Sequence, residues 1–168
     1  VISLEENDLH VDINKLKKVG SSAQMFAAYI PVETLSKKGF DGTPYDFLKV
    51  TYNKMISELE TNKEEIALAT NYEDYKKNMA EGKISAFLTI EEGEILDNKI
   101  DRVDEVYQMG FRVLGLIWMP ENCIGFSNSK NPELMAKGLK PFGIEVIERA
   151  KNIGMIKDVS HLSDGGFY

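Results

Sequence analysis

The chain has little cysteine: Cys123 is the only one among 168 residues. A single thiol excludes an internal disulfide and a paired-cysteine zinc site, and it fits a reducing compartment, so we expect a cytoplasmic location. No run approaches the roughly 20 apolar residues of a membrane span. The acidic start is unlike the basic and then apolar opening of a signal peptide. We therefore expect a soluble chain without a membrane-spanning helix.

Basic charge is also scarce. The 20 lysines and arginines are outnumbered by 27 acidic residues, which gives a formal net charge of -7. The lysines are scattered singly or in pairs, without the continuous basic stripe that a phosphate backbone requires, so nucleic acid is excluded as a partner. A phosphate-binding loop and a Gly-x-Ser-x-Gly nucleophile elbow are absent from the sequence as well.

One sequence pattern recurs along the chain: an amphipathic stretch, a glycine, and a short apolar or β-branched run. The pattern occurs at Gly20, Gly82, Gly110 and Gly154. Each glycine is placed where a helix ends in a left-handed backbone conformation. Each following run has strand length and strand composition. The unit helix, glycine, strand is thus predicted four times, within one domain over 1–168.

A fifth, weaker strand is predicted over 65–70, between two helices. The preceding helix starts at Pro44, with Thr43 and Asp46 as its start signal, and Thr70 or Asn71 caps the following one. Helices are predicted over 44–62, 72–81, 99–109 and 141–153.

Strands that are buried on both faces and alternate with helices predict a parallel sheet. Two architectures fit this pattern: an open doubly wound sheet, or part of a (β/α)8 barrel. A complete barrel takes about 250 residues, so five strands here would form an incomplete one. The polar loop 119–140 is long, and long loops in compact domains are more often functional than idle.

The working residues of parallel α/β folds lie where strands end. Here these positions hold Glu91 with Glu92, Trp118 with Asn122, and His161. A carboxylate and an imidazole at strand ends could together bind a metal ion. Ordinary structural roles are alternatives for each residue: a solvated loop acid, a satisfied lone histidine, or core packing for Trp118.

His10 and Asp12 form a second candidate, a His-x-Asp pair that could chelate a divalent ion. No apolar run precedes the pair, and Asp12 is followed by an apolar stripe with helical spacing. We interpret Asp12 as a helix N-cap rather than as a metal ligand.

The ordered series "ISAFLTIEEGEIL", "VDEVYQMGFRVLGLIW", "ENCIGFSN" and "KDVSHLS" resembles the renal or membrane dipeptidase family of zinc metallopeptidases. The similarity runs over nearly the whole chain. The resemblance implies an α/β fold that is a partial (β/α)8 TIM-type barrel of about five parallel strands with intervening helices. It also implies Zn²⁺ as cofactor, with two ions in the complete family site.

The family's Glu-Gly-Gly motif matches Glu91, Glu92 and Gly93. The resemblance therefore implies that Glu91 bridges both zinc ions, while Glu92 departs from the usual glycine. The family's Asp-Leu-Ser-His motif matches residues 158–161, which implies that His161 is a zinc ligand. Trp118 and Asn122 match positions at which substrate contact is expected. The implied reaction is hydrolysis of a dipeptide by a hydroxide that two zinc ions share.

The family's other ligands and its acid–base residues have no counterpart within 1–168, so no catalytic residue is assigned. We expect a fragment that binds zinc weakly and is inactive alone. Self-association, or pairing with a missing half, is the expected assembly. The alternative is a noncatalytic α/β scaffold or assembly module derived from the same fold.

Overall fold

The computed structural model describes residues 3–118 and 121–168. Strands and helices alternate along most of this range. The strands are β1 Ala23–Tyr29, β2 Ile66–Leu68, β3 Ile84–Glu91, β4 Phe111–Gly115 and β5 Ile156–Asp158. The helices are α1 Ile13–Lys18, α2 Pro44–Thr61, α3 Tyr72–Ala80, α4 Asp101–Gln108, α5 Pro132–Met135, α6 Pro141–Ile153 and α7 Asp164–Phe167, with short 3-10 turns at Val32–Thr34, Ser36–Lys38 and Gly93–Leu96.

The five strands belong to one sheet. The order β1-β3-β4-β5 forms its path, and β2 pairs with β3. β2 runs parallel to β3, with Ile66 opposite Ile84, and β4 runs parallel to β5, with Val113 opposite Ile156. The predicted α/β class is confirmed, and the arrangement is consistent with part of a (β/α)8 barrel.

The four helix–glycine–strand units are confirmed. Gly20, Gly82, Gly110 and Gly154 all have positive φ, between 73° and 99°. Side chains disfavour this left-handed region, whereas glycine enters it without a Cβ clash. Each glycine therefore turns the chain out of a helix and into the next strand.

The predicted helix starts are also found. Asn71 caps α3 by accepting a hydrogen bond from Asp74 N, and Thr43 and Asp46 cap α2 reciprocally. Asp12 accepts from Lys15 N at the start of α1 and is also paired with the Lys15 ammonium. The interpretation of Asp12 as an N-cap is confirmed.

Burial differs between the strands. Six of the eight residues of β3 are buried, as expected for a strand covered on both faces. β1 and β5 do not follow that expectation: Met25, Tyr29 and Ile156 are exposed. The prediction of two-sided burial is wrong for these strands, because β1 and β5 stand at the two ends of the strand path that the described residues form.

The described residues group into two compact units. The first comprises residues 3–26 and 50–88, with Ile13, Leu16, Leu59 and Ile84 in its core. The second comprises the described part of 27–49 and 89–168, in which α4 contacts both α6 and β4. One domain over 1–168 stays a prediction. Within the described ranges, every helix is too short or too polar to cross a bilayer.

Gly143 in α6 shows how closely the loop after β4 is packed in the second unit. A Cβ built on Gly143 would lie 2.2 Å from the Ile124 carbonyl oxygen, which also accepts a hydrogen bond from Lys140 N. The absence of a side chain at Gly143 thus lets the helix touch the loop backbone.

Gly143→Ala is expected to lower the free energy of unfolding. Replacement of a helix-interior glycine by alanine ordinarily gains up to about 1 kcal/mol. Here the added methyl group must displace backbone, and overpacking costs about 1–3 kcal/mol. Urea unfolding measures the difference. Ile144→Ala, on the same helix at a side chain that is 53% exposed, is the matched control and should change stability little. A more stable Gly143→Ala variant would contradict the packing described.

Asp74 supplies a pH-dependent test in the first unit. The pKa of Asp74 is lowered from its ordinary value of 3.8, because the Thr70 backbone N–H and hydroxyl both donate to the carboxylate. A lowered pKa contributes stability that is present above pH 3.8 and is lost as the pH falls through the folded-state pKa. Asp74→Asn should therefore lower the urea midpoint near pH 7, and the difference from wild type should shrink at acidic pH, as the pH falls below 3.8.

The control for this variant is Glu73→Gln, which removes a solvent-exposed pair with Lys76 and should have a small effect. An Asp74→Asn difference that is the same at neutral and at acidic pH would show that the carboxylate charge does not stabilise the start of α3.

Candidate functional site

Glu91 and His161 converge at the ends of β3 and β5. Glu91 is the last residue of β3, and its backbone carbonyl accepts a hydrogen bond from Ile30 N at 3.3 Å. His161 follows β5 in a turn in which Asp158 accepts from Ser160 N, and its own carbonyl accepts from Asn128 N at 2.8 Å. The His161 Nε2 and Glu91 Oε1 atoms are 3.6 Å apart.

Both side chains keep access to solvent. The relative exposure is 36% for His161 and 32% for Glu91. A carboxylate and an imidazole so placed can approach one cation together, and their oxygen and nitrogen donors suit zinc. The sequence placed these residues at strand ends, and the structure brings them together. Their role as zinc ligands stays a prediction.

Two aromatic rings stand beside this pair. The Trp118 ring centroid lies 4.4 Å from that of His161 in an edge-to-face arrangement. Tyr29, at the end of β1, packs edge-to-face on Trp118 with a centroid distance of 5.5 Å. These rings form an apolar wall next to polar groups, a common make-up for a small-molecule site. Tyr29 was not predicted to be a site residue.

Glu92 has the most unusual environment near the pair. Its φ is 112°, and it is 1% exposed. The carboxylate accepts hydrogen bonds from Trp118 N at 3.2 Å, Asn122 Nδ2 at 2.5 Å and Glu94 N at 2.9 Å. Sequence reasoning missed this role, although an acid at a motif position usually held by glycine was the available signal.

Asn122 is 5% exposed, and its side chain is fully hydrogen-bonded within the protein. Its Nδ2 group donates to Glu92 and to the Leu116 carbonyl, and its Oδ1 atom accepts from Ile124 N and Gly125 N. An amide has two donors and two acceptor positions, so all four are used. Asn122 therefore holds the loop after β4, and its predicted contact with substrate stays a prediction.

Charged groups fasten the same loop. Lys140 donates to the Asn122 carbonyl at 2.6 Å and pairs with Glu121 at 2.7 Å, which lowers the pKa of Glu121. Glu94 accepts from Cys123 N at 2.7 Å. Burial raises the pKa of the Cys123 thiol to about 11, so this thiol stays neutral at physiological pH. Cys123 thus packs as a small buried hydrophobic side chain.

Two cavities adjoin these residues. The larger, of about 490 Å³, has a mainly polar lining: Val32, Glu33, Glu92, Glu94, Asn98, Glu121, Asn122, Cys123 and Lys140. The smaller, of about 70 Å³, lies between the Tyr29–Thr34 segment, Glu92 and Trp118. The volume of the larger cavity falls in the range of small-molecule sites.

The donors fit a zinc site only in part. In residues 3–118 and 121–168, no group of three or more His, Cys, Asp or Glu side chains is placed to hold a metal ion. Glu91 and His161 would supply two protein ligands, whereas zinc in proteins takes three or four. His10 is exposed, and Asp12 is committed to Lys15 and the start of α1.

Comparison with known proteins shows which family this sequence matches. The family described as membrane dipeptidase, peptidase family M19, matches residues 2–168. An uncharacterized protein in the PQQ-III 3′ region of Acinetobacter calcoaceticus is 28% identical, over 95% of this chain and 55% of the relative. The chain thus spans about half the length of that curated relative, and a third of the length of dipeptidase 3 of Rattus norvegicus, which is 25% identical over 96% of this chain.

Solved structures share the fold. A crystal structure of dipeptidase AC, a metallopeptidase of family M19, superposes with a TM-score of 0.83 at 17% identity and covers 98% of this chain and 51% of that one. A metallopeptidase from Rhodobacter sphaeroides, liganded with a phosphinate mimic of the dipeptide L-Ala-D-Ala, superposes with a TM-score of 0.82 at 16% identity and covers 98% and 54%. The family match over nearly every residue identifies the chain as a member of the membrane dipeptidase family, peptidase family M19.

Proposed function

We propose that this chain contributes two zinc ligands, Glu91 and His161, to the active site of a metal-dependent dipeptidase. The observation that carries the proposal is the 3.6 Å approach of His161 Nε2 to Glu91 Oε1 at two strand ends. Family membership supports the reaction class. The dipeptide mimic bound by the Rhodobacter sphaeroides neighbour supports a dipeptide as the substrate.

Each of the two residues suits its proposed role. The Glu91 carboxylate has two oxygens, and its backbone lies at the end of a well-buried strand, where the Glu91 carbonyl accepts a hydrogen bond from Ile30 N. Such a carboxylate can contact two cations while a rigid element holds it in place. His161 presents Nε2 on the same side. A bound zinc ion would polarise the scissile carbonyl and ease the formation of a nucleophile from water near neutral pH.

Trp118 and Tyr29 would form the wall against which a substrate rests. The Trp118 ring packs on His161, and Tyr29 packs on Trp118. Trp118 is the proposed substrate contact, and Asn122 lines the larger cavity while it holds the loop. A cytoplasmic location stays a prediction from the single cysteine.

Two donors fall short of the ligands that zinc takes in a tight site. We therefore propose that residues 1–168 alone bind zinc weakly and do not hydrolyse dipeptides. The completing ligands would come from another polypeptide segment, and either self-association or pairing with such a segment stays a prediction.

Zinc titration of the purified chain tests the ligand assignment. Glu91→Gln and His161→Gln should each weaken Zn²⁺ binding at least about tenfold, since each removes a ligand and even supporting residues contribute 10–100-fold. His10→Gln is the matched control and should leave the affinity unchanged. A loss confined to His10→Gln would contradict the assignment. A lack of any zinc binding would favour the noncatalytic scaffold.

Dipeptide hydrolysis tests the expectation of inactivity. The 168-residue chain, supplied with zinc, should show no turnover of Ala-Ala dipeptides above a metal-free blank. Two tightly held zinc ions per chain, with hydrolysis that Glu91→Gln abolishes, would overturn the proposal that further ligands are required.

A further inference from the structure

We propose that Glu92 is a positioning residue that holds Trp118 against His161. The importance of that contact for a substrate rests on the proposed function, whereas the contact itself does not. Glu92 follows Glu91 directly, so a single turn of the chain connects a proposed zinc ligand with the backbone that presents the aromatic wall.

The backbone at Glu92 is strained. A φ of 112° with a ψ of 105° lies outside the regions that ordinary side chains adopt. The next residue is closely packed: a Cβ on Gly93 would lie 2.5 Å from the Leu116 carbonyl oxygen. The turn after β3 thus passes directly against the end of β4.

A glycine at position 92 would relieve this strain. We therefore expect interactions of the Glu92 side chain to offset the cost of the strained backbone. Its carboxylate provides them: Oε2 accepts from Trp118 N, and Oε1 accepts from Asn122 Nδ2 and Glu94 N. These bonds fix the described residues on both sides of 119–120. Hydrogen bonds to a buried charged group are among the stronger ones in proteins.

Trp118 is the residue that the Glu92 carboxylate reaches at the rim of the site. The Glu92 bond fixes the Trp118 backbone, and the indole then packs on His161 at 4.4 Å and on Tyr29 at 5.5 Å. If Glu92 only stabilised the fold, the Trp118–His161 ring contact would not depend on it in folded protein. The proposal therefore predicts a spectroscopic effect in folded protein, separate from any loss of stability.

Trp118 is the only tryptophan of the chain, so its fluorescence reports on this contact directly. The measurement is the change in Trp118 emission and acrylamide quenching that the substitution His161→Leu causes. This change is compared between protein that contains Glu92 and protein in which Glu92 is replaced. Both are measured without metal and without substrate. With Glu92 present, His161→Leu should alter the emission, because the imidazole edge is lost from the indole. In Glu92→Gly and Glu92→Ala, which lack the side-chain bond to Trp118 N, the effect should fall at least about twofold, as expected for coupled neighbours.

Three variants separate the contributions. Glu92→Gln keeps the size and the strained backbone, but its amide cannot accept from both Trp118 and Asn122. Glu92→Ala removes every side-chain bond and keeps the strain. Glu92→Gly also removes the bonds but relieves the strain, so it should have a higher urea midpoint than Glu92→Ala while losing the Trp118–His161 coupling equally.

A wild-type coupling in folded Glu92→Gly or Glu92→Ala would overturn the proposal and leave Glu92 a structural residue only. If Glu92→Ala does not fold, Glu92→Gly carries the same test. Because no metal or substrate is present, a failure here leaves the zinc proposal untouched, and a failed zinc titration leaves this coupling untouched.

Discussion

The close approach of β4 to the end of β3 is the constraint on which the candidate site depends. A Cβ on Gly115 would lie 2.9 Å from the Ile90 carbonyl oxygen, so only glycine fits where the strands meet. On its other side β4 runs parallel to β5, and Leu116 N donates to the Asp158 carbonyl just beyond the paired residues. Parallel strands end at the same edge of a sheet, and this arrangement brings the residues after β3, β4 and β5 together.

A network of polar contacts connects these strand ends with the loop after β4. Glu92, Asn122 and Lys140 connect the end of β3, the loop and the start of α6 through the bonds described above. A hydrogen bond to a charged group contributes about 1.5–3 kcal/mol, and an unsatisfied buried partner costs a comparable amount. Within the described ranges, no buried side-chain nitrogen or oxygen lacks a hydrogen-bond partner. The loop that flanks the candidate site is therefore held by satisfied polar contacts as well as by apolar packing.

Local features of the fold could be predicted from the sequence. Glycines after helices, the caps at Asp12 and Asn71, and the strand-end position of Glu91 and His161 depend on residues that are close in the chain. The exposure of β1 and β5 could not be predicted in this way, because it depends on which strands end the sheet path. The role of Glu92 was hidden for a similar reason: its partners Trp118 and Asn122 lie 26 and 30 residues away. The full engagement of Asn122 likewise depends on contacts that only the folded loop creates.

The proposed metal site requires Glu91 and His161 to share one cation. Anomalous diffraction at the zinc absorption edge, from crystals of the 168-residue chain equilibrated with Zn²⁺, tests it most directly. An anomalous peak is expected within coordination distance, about 2.0–2.2 Å, of both a Glu91 carboxylate oxygen and His161 Nε2. A peak at His10, or zinc in the larger cavity with the Glu91–His161 pair left empty, would contradict it.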